Sequence, residues 1–453
     1  MRANRRMRTG TGRVAWEERA AKSSPSRGEE RELNRSDEPA AATMLTKSST
    51  ELIRQHNRAL VLEALRRRIG QSHTDLAKET GLASATVTAI TQELETENII
   101  ERTVAAAAGG RGRPRILFKQ RRSAAYAAFV RISSDVLQYS MVDYSGTLIH
   151  RIEEKRDNAG QKVEAFAADI RSALNRLADK SRVSRDNLKA ISISSKGLVA
   201  DDNTTLLWSS VLGSQQIDMR KTLAPDWQAN VTLNHESLLV ASALHSSMSR
   251  KLGKPIPRLA ALSLGHSIGL GVVHADSYES PRARAPGFGH MIHSHGGALC
   301  RCGSQGCIEA YAGSYAILRA AFKVPPSTLP AHFVPFIEIE KIAGQARRGD
   351  RMANSAFRDA GTAIGNGLAR LISLHGKMPV VFTGPGVRFF DLMRPGIDEG
   401  LSASLGVQIE GPPEMSTSLD EEGLVFEGHL NHTMTAIDRD VIAPKIFGQG
   451  GTA

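Results

Sequence analysis

The stretch Cys300-Arg-Cys302-Gly-Ser-Gln-Gly-Cys307 holds all three cysteines of the 453-residue chain within eight positions. His290 lies ten residues upstream of the first of them. Three thiolates and one imidazole make a closed tetrahedral site that suits zinc and leaves no open position for water. Gly303 and Gly306 let the backbone fold tightly enough for the sulfur atoms to converge. The stretch therefore predicts a structural zinc site formed by His290, Cys300, Cys302 and Cys307.

Two alternatives to this ligand set stay open in the sequence. The first is that the cysteines are buried or redox-active thiols without a metal. The second is that His293 or His295, which lie nearby, replaces His290 as the fourth ligand. Disulfides are disfavoured because the cysteine count is odd and no secretory signal precedes the chain, which indicates a reducing compartment. We therefore expect a cytoplasmic protein.

The length of the chain predicts two or three domains with a large buried core. No apolar run approaches the roughly 20 residues that a membrane span needs, so we expect no membrane contact. Residues 1–46 are rich in Arg, Glu, Ser and Ala without apolar periodicity and predict a disordered basic extension. Met44, near its end, is an alternative start of translation. Residues 431–453 predict a disordered tail.

The positive charge of the chain is concentrated near its N-terminus. Residues 1–122 carry 24 Lys plus Arg against 15 Asp plus Glu, while the whole chain has a net charge of +11. The excess of nine in the first part leaves only two for the rest. Such asymmetry is typical of a nucleic-acid-binding module joined to a nearly neutral body. A solvated basic tail is the alternative.

Residues 47–122 have the pattern of a winged helix-turn-helix domain. Apolar residues recur at helical spacing between Ile53 and Ile69, which predicts a first helix. The Ser-x-x-Asp capping box that starts at Ser72 opens a short second helix, and Gly81 ends it. A third helix follows at once, and two short helices joined by a tight glycine-containing turn are typical of a helix-turn-helix.

The third helix, residues 84–94, has one apolar face formed by Val87, Ile90 and Leu94. Its other face carries side chains that are small and polar enough to approach base edges in the major groove. We expect Ala89 and Thr91 to lie on this face as well. The residues on it that we predict to bind DNA are Ser84, Ala85, Thr86 and Thr88.

A basic turn lies between two short strand-like segments after the third helix, 99–104 and 116–118. Its sequence is Gly110-Arg111-Gly112-Arg113-Pro114-Arg115. Glycines beside arginines let the guanidinium groups enter a narrow minor groove, where the potential is most negative. We therefore predict a β-hairpin wing that binds DNA through Arg111, Arg113 and Arg115. A three-helix packing or dimerisation element with a solvated basic loop is the alternative.

Residues 123–430 alternate between strand-like and helix-like segments. Several strand-like segments end in glycine-rich turns, as at residues 265–269 and 384–386. The strand patterns lie at residues 126–132, 137–142, 149–152, 190–194, 231–235, 259–264 and 380–382. Two successive sets of such strands predict a two-lobed α/β body with a cleft between the lobes.

The cysteine-rich pattern resembles the signature of the ROK family, which contains sugar kinases and sugar-responsive repressors. The resemblance rests on Gly289-His290-Met291 and on Cys300-x-Cys302-Gly-x-x-Gly-Cys307-x-Glu309, and it extends over about residues 49–428. It implies an actin-like, hexokinase-like (ribonuclease H-like) fold with two lobes, and a zinc ion held by His290 and the three cysteines. A winged helix joined to such a body is similar to the repressor branch, which includes regulators of xylose, glucose and N-acetylglucosamine use.

Two motifs of the family's kinases are altered in this chain. Their Asp-x-Gly-Gly-Thr phosphate loop is matched by Arg131-Ile-Ser-Ser-Asp-Val136, which has no glycine. Their catalytic Glu-Asn-Asp is matched by Leu233-Asn234-His235. Phosphoryl transfer needs both a phosphate cradle and a base for the sugar hydroxyl. The resemblance therefore predicts a protein that is not an enzyme, and a sugar kinase with a DNA-binding appendage is the alternative.

The sugar pocket that the resemblance implies is retained in part. Asn234, His290 and Glu309 stand at positions that contact or support a sugar in the resembling proteins, and His235 replaces the catalytic base. The family's Glu-x-Gly-His reads Gly287-Phe-Gly-His290, and Lys196-Gly197 replaces its Pro-Gly turn. We predict a sugar or sugar-derivative effector bound by Asn234, His235, His290 and Glu309. Alternatives are a helix cap at Asn234, a zinc-orienting role for Glu309, and a ligand-blind DNA-binding protein.

These expectations combine into a DNA-binding transcriptional regulator, most simply a repressor of carbohydrate-related genes. Two copies joined through their bodies, as a homo-dimer or tetramer, would bind a pseudo-palindromic double-stranded operator. An effector that binds the open and closed cleft with different affinity would change the spacing of the two DNA-binding domains.

Overall fold

The computed structural model describes residues 38–104, 115–156, 161–275 and 281–440. The chain divides into a unit of residues 1–53 and a compact unit of residues 54–453. The first unit is described only from residue 38 onward, where it is helical. In the described part of the chain, no helix has the length and apolar character needed to cross a membrane.

Three helices precede a two-stranded antiparallel sheet at the N-terminal end of the described chain. They are α1 (Glu38–Arg67), α2 (His73–Thr80) and α3 (Ser84–Thr96), followed by β1 (Ile100–Val104) and β2 (Ile116–Gln120). The predicted capping box is present, because the Ser72 hydroxyl accepts the N–H of Asp75 at 3.3 Å while the Asp75 carboxylate accepts the N–H of Ser72 at 3.0 Å. Gly81 ends α2 in the left-handed conformation, with φ 72°.

The helix α1 begins at Glu38, earlier than the sequence predicts. Residues 38–46, expected to be disordered, are helical, so the prediction is wrong for this segment. Pro39 stands in the first turn, where its missing N–H costs no helical hydrogen bond. The alanines that follow it have the highest helix propensity of all residues.

Thr91 corrects the prediction for the outward face of α3. We expected Thr91 among the exposed polar residues, but its side chain is buried and its hydroxyl lies 2.8 Å from Nε2 of His73. Thr91 follows Val87 by four residues and precedes Leu94 by three, so all three lie on one face of the helix. The face free to meet a partner is therefore narrower than predicted.

The body contains thirteen strands and ten α-helices in its described residues. The strands are β3 (Tyr126–Ile132), β4 (Val136–Asp143), β5 (Leu148–Lys155), β6 (Leu188–Ser195), β7 (Gly197–Val199), β8 (Thr205–Ser209), β9 (Ile217–Asp218), β10 (Asn230–His235), β11 (Arg258–Ser263), β12 (Gly269–His274), β13 (Arg282–Arg284), β14 (Val380–Thr383) and β15 (Met415–Thr417). The helices are α4 (Val163–Ser181), α5 (Met219–Leu223), α6 (Glu236–Leu252), α7 (Glu309–Ala312), α8 (Ser314–Ala321), α9 (Phe336–Arg347), α10 (Arg351–His375), α11 (Phe390–Ser402), α12 (Leu405–Glu410) and α13 (Glu421–Asp440).

Two five-stranded sheets with the same strand order form the two lobes. The first has the order β10-β6-β3-β4-β5 and the second the order β13-β12-β11-β14-β15. In each, three consecutive strands form an antiparallel meander, a later strand pairs in parallel with the first strand of that meander, and a fifth strand pairs in parallel with this added strand. The two-lobed α/β body predicted from the strand pattern is confirmed.

The helices α6 and α13 lie between the two sheets. The helix α6 packs against β11 and β12 of the second sheet, whereas α13 packs against α6 and against β3 and β6 of the first. Both helices begin at the cleft, one directly after β10 and the other a few residues after β15. Groups at their N-termini are therefore in a position to connect the lobes.

The helix α13 extends beyond the predicted end of the body. Residues 431–440 were expected to belong to a disordered tail, and this is wrong because Met434 and Ile437 are buried in a core shared with α1. The carboxylate of Asp438 accepts hydrogen bonds from Arg66 at 2.7 and 3.1 Å and from the Tyr144 hydroxyl at 2.7 Å. The predicted tail from residue 441 to residue 453 lies outside the described residues.

Candidate metal centre and ligand-binding residues

The cysteine-rich stretch folds back onto a histidine. A short 3-10 helix, Phe288–His290, precedes an irregular loop that ends at Cys307. Gly306 has a φ of 82°, and a Cβ there would lie 1.7 Å from the carbonyl oxygen of Ser294. Only glycine permits this approach. We call residues 290–307 the metal loop.

Four side chains of the metal loop bring their ligand atoms to within 4.8 Å of one another: those of His290, Cys300, Cys302 and Cys307. The sulfur atoms of Cys302 and Cys307 are 3.7 Å apart, and the Cys300 sulfur is 3.7 Å from Nδ1 of His290. Tetrahedral ligands placed about 2.3 Å from a zinc ion would be separated by about 3.8 Å. A disulfide would join two sulfurs at about 2.05 Å. The four groups therefore fit a metal ion.

The competing histidines lie apart from this cluster of ligand atoms. Among the described residues that could hold a metal, the cluster contains His290 but neither His293 nor His295. The ring of His293 instead lies edge-on to Tyr311, with centroids 4.8 Å apart. His290 is therefore the fourth group that the structure places beside the cysteines.

Burial makes the uncharged thiols the stable form in the absence of a cation. It raises the pKa of Cys300 to about 11, and the carboxylate of Glu309 adds to this effect. Burial and the two neighbouring cysteines also raise the pKa of Cys307. Because metal ligation requires thiolates, a divalent cation would supply the positive charge that this cluster lacks.

Glu309 and Arg301 fasten the metal loop to the second lobe. One carboxylate oxygen of Glu309 accepts the N–H of Ile268 at 3.2 Å, and the other lies 3.4 Å from Arg301. Arg301 also donates to the carbonyl of His266 and, at 3.2 Å, to the hydroxyl of Ser267. Glu309, which the family resemblance assigns to the effector pocket, therefore holds Arg301 of the metal loop and does not bond a predicted zinc ligand directly in the described structure.

Asn234 and His235 lie at the carboxyl end of β10, close enough to His290 for its charge to act on His235. Nδ1 of His235 accepts the N–H of Ser237 at 3.2 Å and caps α6, so Asn234 is not the cap. Burial lowers the pKa of His235 to about 4, and the ring is neutral at pH 7. Nδ2 of Asn234 is buried and has no hydrogen-bond partner among the described residues.

Two further residues border His290. The ring of Trp208 lies edge-on to the imidazole, with centroids 5.3 Å apart. At Gly287, where the resembling family has glutamate, no atom lies within 4 Å of the position that a Cβ would take. Trp208 was not predicted as a site residue, because an aromatic residue on a short strand gives no local sign of this contact.

A cluster of four buried or half-buried charged side chains spans the cleft: Arg131, Lys196, Glu236 and Glu421. We call these residues the charge cluster. Arg131 donates two hydrogen bonds of 3.0 Å to Glu236, and Lys196 lies 3.4 Å from Glu236 and 3.6 Å from Glu421. Lys196 and Glu421 both bond the hydroxyl of Ser263 on the second sheet. The cluster thereby joins β3 of the first lobe to β11 of the second.

Sequence reasoning missed the two glutamates of the charge cluster. Each is the first residue of a helix, where an acidic side chain is ordinary because it favours the helix dipole. Burial alone would raise the pKa of Glu236, but the cations of Arg131 and Lys196 lower it to about 2. Two departures from the family's motifs, Arg131 in the phosphate-loop segment and Lys196 in the Pro-Gly turn, thus have partners that no local pattern revealed.

The connection that replaces the kinase phosphate loop is a tight hairpin turn. The N–H of Ser133 donates to the carbonyl of Val136 at 3.0 Å, and Asp135 stands in the turn. A cavity of about 900 Å³ opens beside this turn, between the two lobes. Its lining includes neither Asn234 nor the other predicted effector residues.

The predicted DNA-binding residues of α3 differ in exposure. Ser84 and Ala85 are exposed, whereas Thr86 and Thr88 are half-buried and the Thr88 hydroxyl donates to the carbonyl of Ser84 at 2.9 Å. Of these four predicted DNA-binding residues, Ala85 is the one that is both exposed and non-polar.

The arginines of the predicted wing are described only in part. Arg111 and Arg113 lie outside the described residues. Arg115 forms an ion pair of 2.9 Å with Asp75 and donates to the Ser72 hydroxyl at 2.7 Å, so it is tied to the capping box of α2.

Comparisons with known proteins identify what the body is similar to. Residues 134–425 match the ROK family. A xylose repressor of Caldicellulosiruptor bescii is 22% identical over 346 residues, which is 75% of this chain and 85% of that protein.

Solved structures share the fold. A ROK family transcriptional regulator, a homolog of the E. coli MLC protein, aligns with a TM-score of 0.66 at 20% identity, over 86% of this chain and 98% of its own. A ROK family glucokinase from Streptomyces griseus aligns with a TM-score of 0.50 at 20% identity, over 68% of this chain and 99% of its own. The expected actin-like, hexokinase-like fold of the body is therefore confirmed, and the chain belongs to the ROK family.

Proposed function

We propose that this protein is a cytoplasmic, sequence-specific DNA-binding transcriptional repressor of carbohydrate-related genes. A sugar or sugar derivative, bound between the lobes of a non-catalytic ROK body, controls it. The observation that carries the proposal is the buried Arg131–Glu236 ion pair, which stands where the kinases of the family have their phosphate loop. Similarity to a protein named as a xylose repressor also supports a repressor of carbohydrate-related genes.

The N-terminal elements support DNA binding through a winged helix-turn-helix. A capped α2, a left-handed Gly81 and an α3 with exposed small residues match the arrangement in which the second helix enters the major groove. Ser84, Ala85, Thr86 and Thr88 would lie at the bases. The strands β1 and β2 would form the wing, with Arg111 and Arg113 at the minor groove.

Arg115 has a different proposed role from the other wing arginines. Its ion pair with Asp75 leaves a side chain that is 55% exposed at the start of α2. A guanidinium held in this way can contact a phosphate while it keeps its carboxylate partner. We therefore assign Arg115 to the DNA backbone.

The residues of the site disfavour phosphoryl transfer. Arg131 carries a positive charge that is committed to Glu236, and the turn after it lacks the glycines that let backbone N–H groups surround a phosphate. His235 has a pKa of about 4, and its Nδ1 already accepts the N–H of Ser237. The Nδ1 lone pair of His235 is therefore not free to accept a sugar proton.

The orphaned amide of Asn234 supports an effector site at the end of β10. Leaving a buried N–H unpaired costs about 1–3 kcal/mol, and a sugar hydroxyl that accepts this hydrogen would recover it. His235 and His290 offer further polar groups, Trp208 offers an aromatic face, and Glu309 fixes the metal loop that carries His290. The space at Gly287 admits a substituent that a glutamate would exclude.

We assign zinc to the metal loop, held by His290, Cys300, Cys302 and Cys307. Three thiolates and one imidazole are a ligand set that zinc prefers, and such closed sites are structural. When bound, the ion would neutralise the thiolates and fix the position of His290. Homo-dimers or tetramers of the body would present two DNA-binding domains to a pseudo-palindromic operator.

The proposal is tested by selecting duplexes from a random DNA pool with the purified full-length protein, then repeating the binding step with a panel of sugars. We expect a palindromic motif that one sugar releases. Asn234→Ala should bind the motif but no longer respond to that sugar. A motif that no sugar releases would remove the sensor from the proposal, and ATP-dependent phosphorylation of a sugar in a coupled assay would replace it with a kinase.

A further inference from the structure

The interlobe cavity of about 900 Å³ is a separate feature from the effector residues at the end of β10. Its volume lies within the range of about 300–1,000 Å³ that small-molecule sites occupy. The residues around it come from both lobes, including the turn at Asp135 and the segment Phe333 to Ile337. The cavity therefore has the size of a ligand site whose occupant the proposed function does not name.

The cavity lining includes apolar side chains from separate segments, and we call its aromatic residues the aromatic wall. Phe333, Ile337 and Leu419 line the cavity and are 43%, 54% and 73% exposed. Phe336 lines it as well, and its ring stacks on Phe389 with centroids 5.3 Å apart. Large apolar side chains that gather at the rim of one cavity are suited to an apolar ligand body.

The aromatic wall is held in place before any ligand arrives. The ring of Phe333 packs on His266 with centroids 4.7 Å apart. Arg301 donates to the carbonyls of His266 and, at 3.2 Å, of His332, so it fixes the chain on both sides of this contact. A preformed wall of this kind costs a ligand little ordering entropy.

The cationic groups that line the cavity already have carboxylate partners. Arg131 is paired with Glu236, and Lys196 with Glu236 and Glu421. Arg388 is 3.1 Å from Glu340. Burial lowers the pKa of His266 to about 4, so it is neutral at pH 7. None of these groups offers a free positive charge to an anionic ligand.

Three carboxylates of the lining lack such a partner. Within the described residues, Asp135, Glu153 and Asp420 form no ion pair, although Glu153 accepts a hydrogen bond from Gln138 and Asp420 one from the N–H of Gly423. The lining as a whole has three cationic and five acidic residues, a formal charge of −2. Such a cavity attracts cations and repels phosphates.

We propose that this cavity binds a small organic cation, a primary or quaternary amine carried on an aromatic or otherwise apolar body. The apolar part of the ligand would lie against Phe333, Phe336 and Ile337. Its ammonium group would face Asp135, Glu153 and Asp420. Aromatic faces attract cations as well as apolar groups, so the aromatic and acidic residues of the lining favour the same ligand. The guanidinium of Arg388 already lies 6.0 Å from the centre of the Phe336 ring, which leaves Phe333 as the main aromatic contact for the ammonium. The site thus differs in ligand charge from the nucleotide cleft of a kinase.

The test is calorimetric titration of the full-length protein with three probes of similar shape and different charge: phenethylamine, phenethyl alcohol and phenylacetate. We expect millimolar or tighter binding of the amine, weaker binding of the alcohol and the weakest binding of the acid. The amine's affinity should fall as salt is added, because the carboxylates are exposed. Equal or tighter binding of phenylacetate or of magnesium ATP, or no binding of phenethylamine, overturns the proposal.

A matched pair of variants locates the site. Asp420→Asn should weaken phenethylamine binding about two- to fivefold, as expected for one exposed charge. Asparagine still accepts the N–H of Gly423, so the start of α13 is kept. Asp186→Asn, at an exposed carboxylate that does not line the cavity, should leave the affinity unchanged. Equal effects of the two variants would contradict the assignment, and Asn234→Ala should not affect amine binding.

Discussion

The metal loop and the charge cluster both place ionisable groups inside the body, but they neutralise them in different ways. The metal loop gathers three thiols and an imidazole from 18 consecutive residues, and these four groups fit a metal ion from outside. The charge cluster gathers two cations and two carboxylates from four distant segments, and they neutralise one another. The first is a site that a ligand completes, and the second is complete without one.

This difference bears on how a ROK body can be used for regulation. A self-neutralised cluster at the cleft needs neither nucleotide nor magnesium to hold the lobes together. The metal loop still carries His290 to the end of β10, where the amide nitrogen of Asn234 has no hydrogen-bond partner among the described residues. Ion pairs thus link the two lobes at the charge cluster, whereas the end of β10 keeps a hydrogen-bond donor that nothing in the described chain uses.

Removing one thiolate should have the largest effect. We expect Cys302→Ser to lose its metal and to destabilise the body by several kcal/mol, since structural zinc contributes about 10–16 kcal/mol in zinc-finger peptides. Metal content by elemental analysis and thermal unfolding with and without chelator measure this. Ser304→Ala, an exposed residue of the same loop, should keep both metal and stability. Full metal content in Cys302→Ser would show that our ligand set is wrong.

Breaking the charge cluster should have the next largest effect. Glu236→Gln removes the nearer of the two carboxylate partners of Arg131 and Lys196, and Glu421 stays 3.6 Å from each. Opening a buried ion pair in this way costs up to about 3–5 kcal/mol. Urea unfolding measures the loss. Glu399→Gln, which breaks an exposed pair with Arg358, should change stability by less than about 1 kcal/mol. Equal losses in the two variants would contradict the role of burial.

The same variant tests the pH dependence of the cluster. The pKa of Glu236 falls from its ordinary 4.5 to about 2 in the folded protein. A lowered folded pKa means that the stabilisation is complete above pH 4.5 and is lost as the pH falls towards 2. The stability difference between wild type and Glu236→Gln should therefore shrink over this range. A difference that is constant down to pH 2 would show that the carboxylate charge is not its cause.

A smaller effect is expected where α13 meets α1. Asp438→Asn leaves the buried guanidinium of Arg66 without its charge partner, and hydrogen bonds to charged groups contribute about 1.5–3 kcal/mol. Urea unfolding again measures the change. The control is Asp398→Asn, whose partner Arg394 lies one turn away on an exposed helix face. It should hardly change the free energy of unfolding. If Asp438→Asn lost no stability, the contact between α13 and α1 would not stabilise the N-terminal elements.

Sequence reasoning succeeded where the determining residues are neighbours along the chain. The metal loop, the capping box at Ser72 and the two sets of strands all follow from local spacing. It failed where contacts between distant segments of the chain determine the structure. The charge cluster joins residues 131, 196, 236 and 421, and the order of residues 431–440 depends on a core that they share with α1. The position of Thr91 was predicted wrongly because a polar residue type suggests exposure, whereas its four-residue spacing from Val87 puts it on the buried face of the helix.

The most direct test of the regulatory account is the affinity of the full-length protein for a duplex carrying its selected motif, compared between wild type and Ala85→Glu. A carboxylate on the exposed face of α3 would oppose the DNA phosphates, and we expect affinity to fall at least about tenfold. Ala403→Glu, the same change at an exposed position of the body, should bind like wild type. Undiminished binding by Ala85→Glu would contradict DNA recognition through α3.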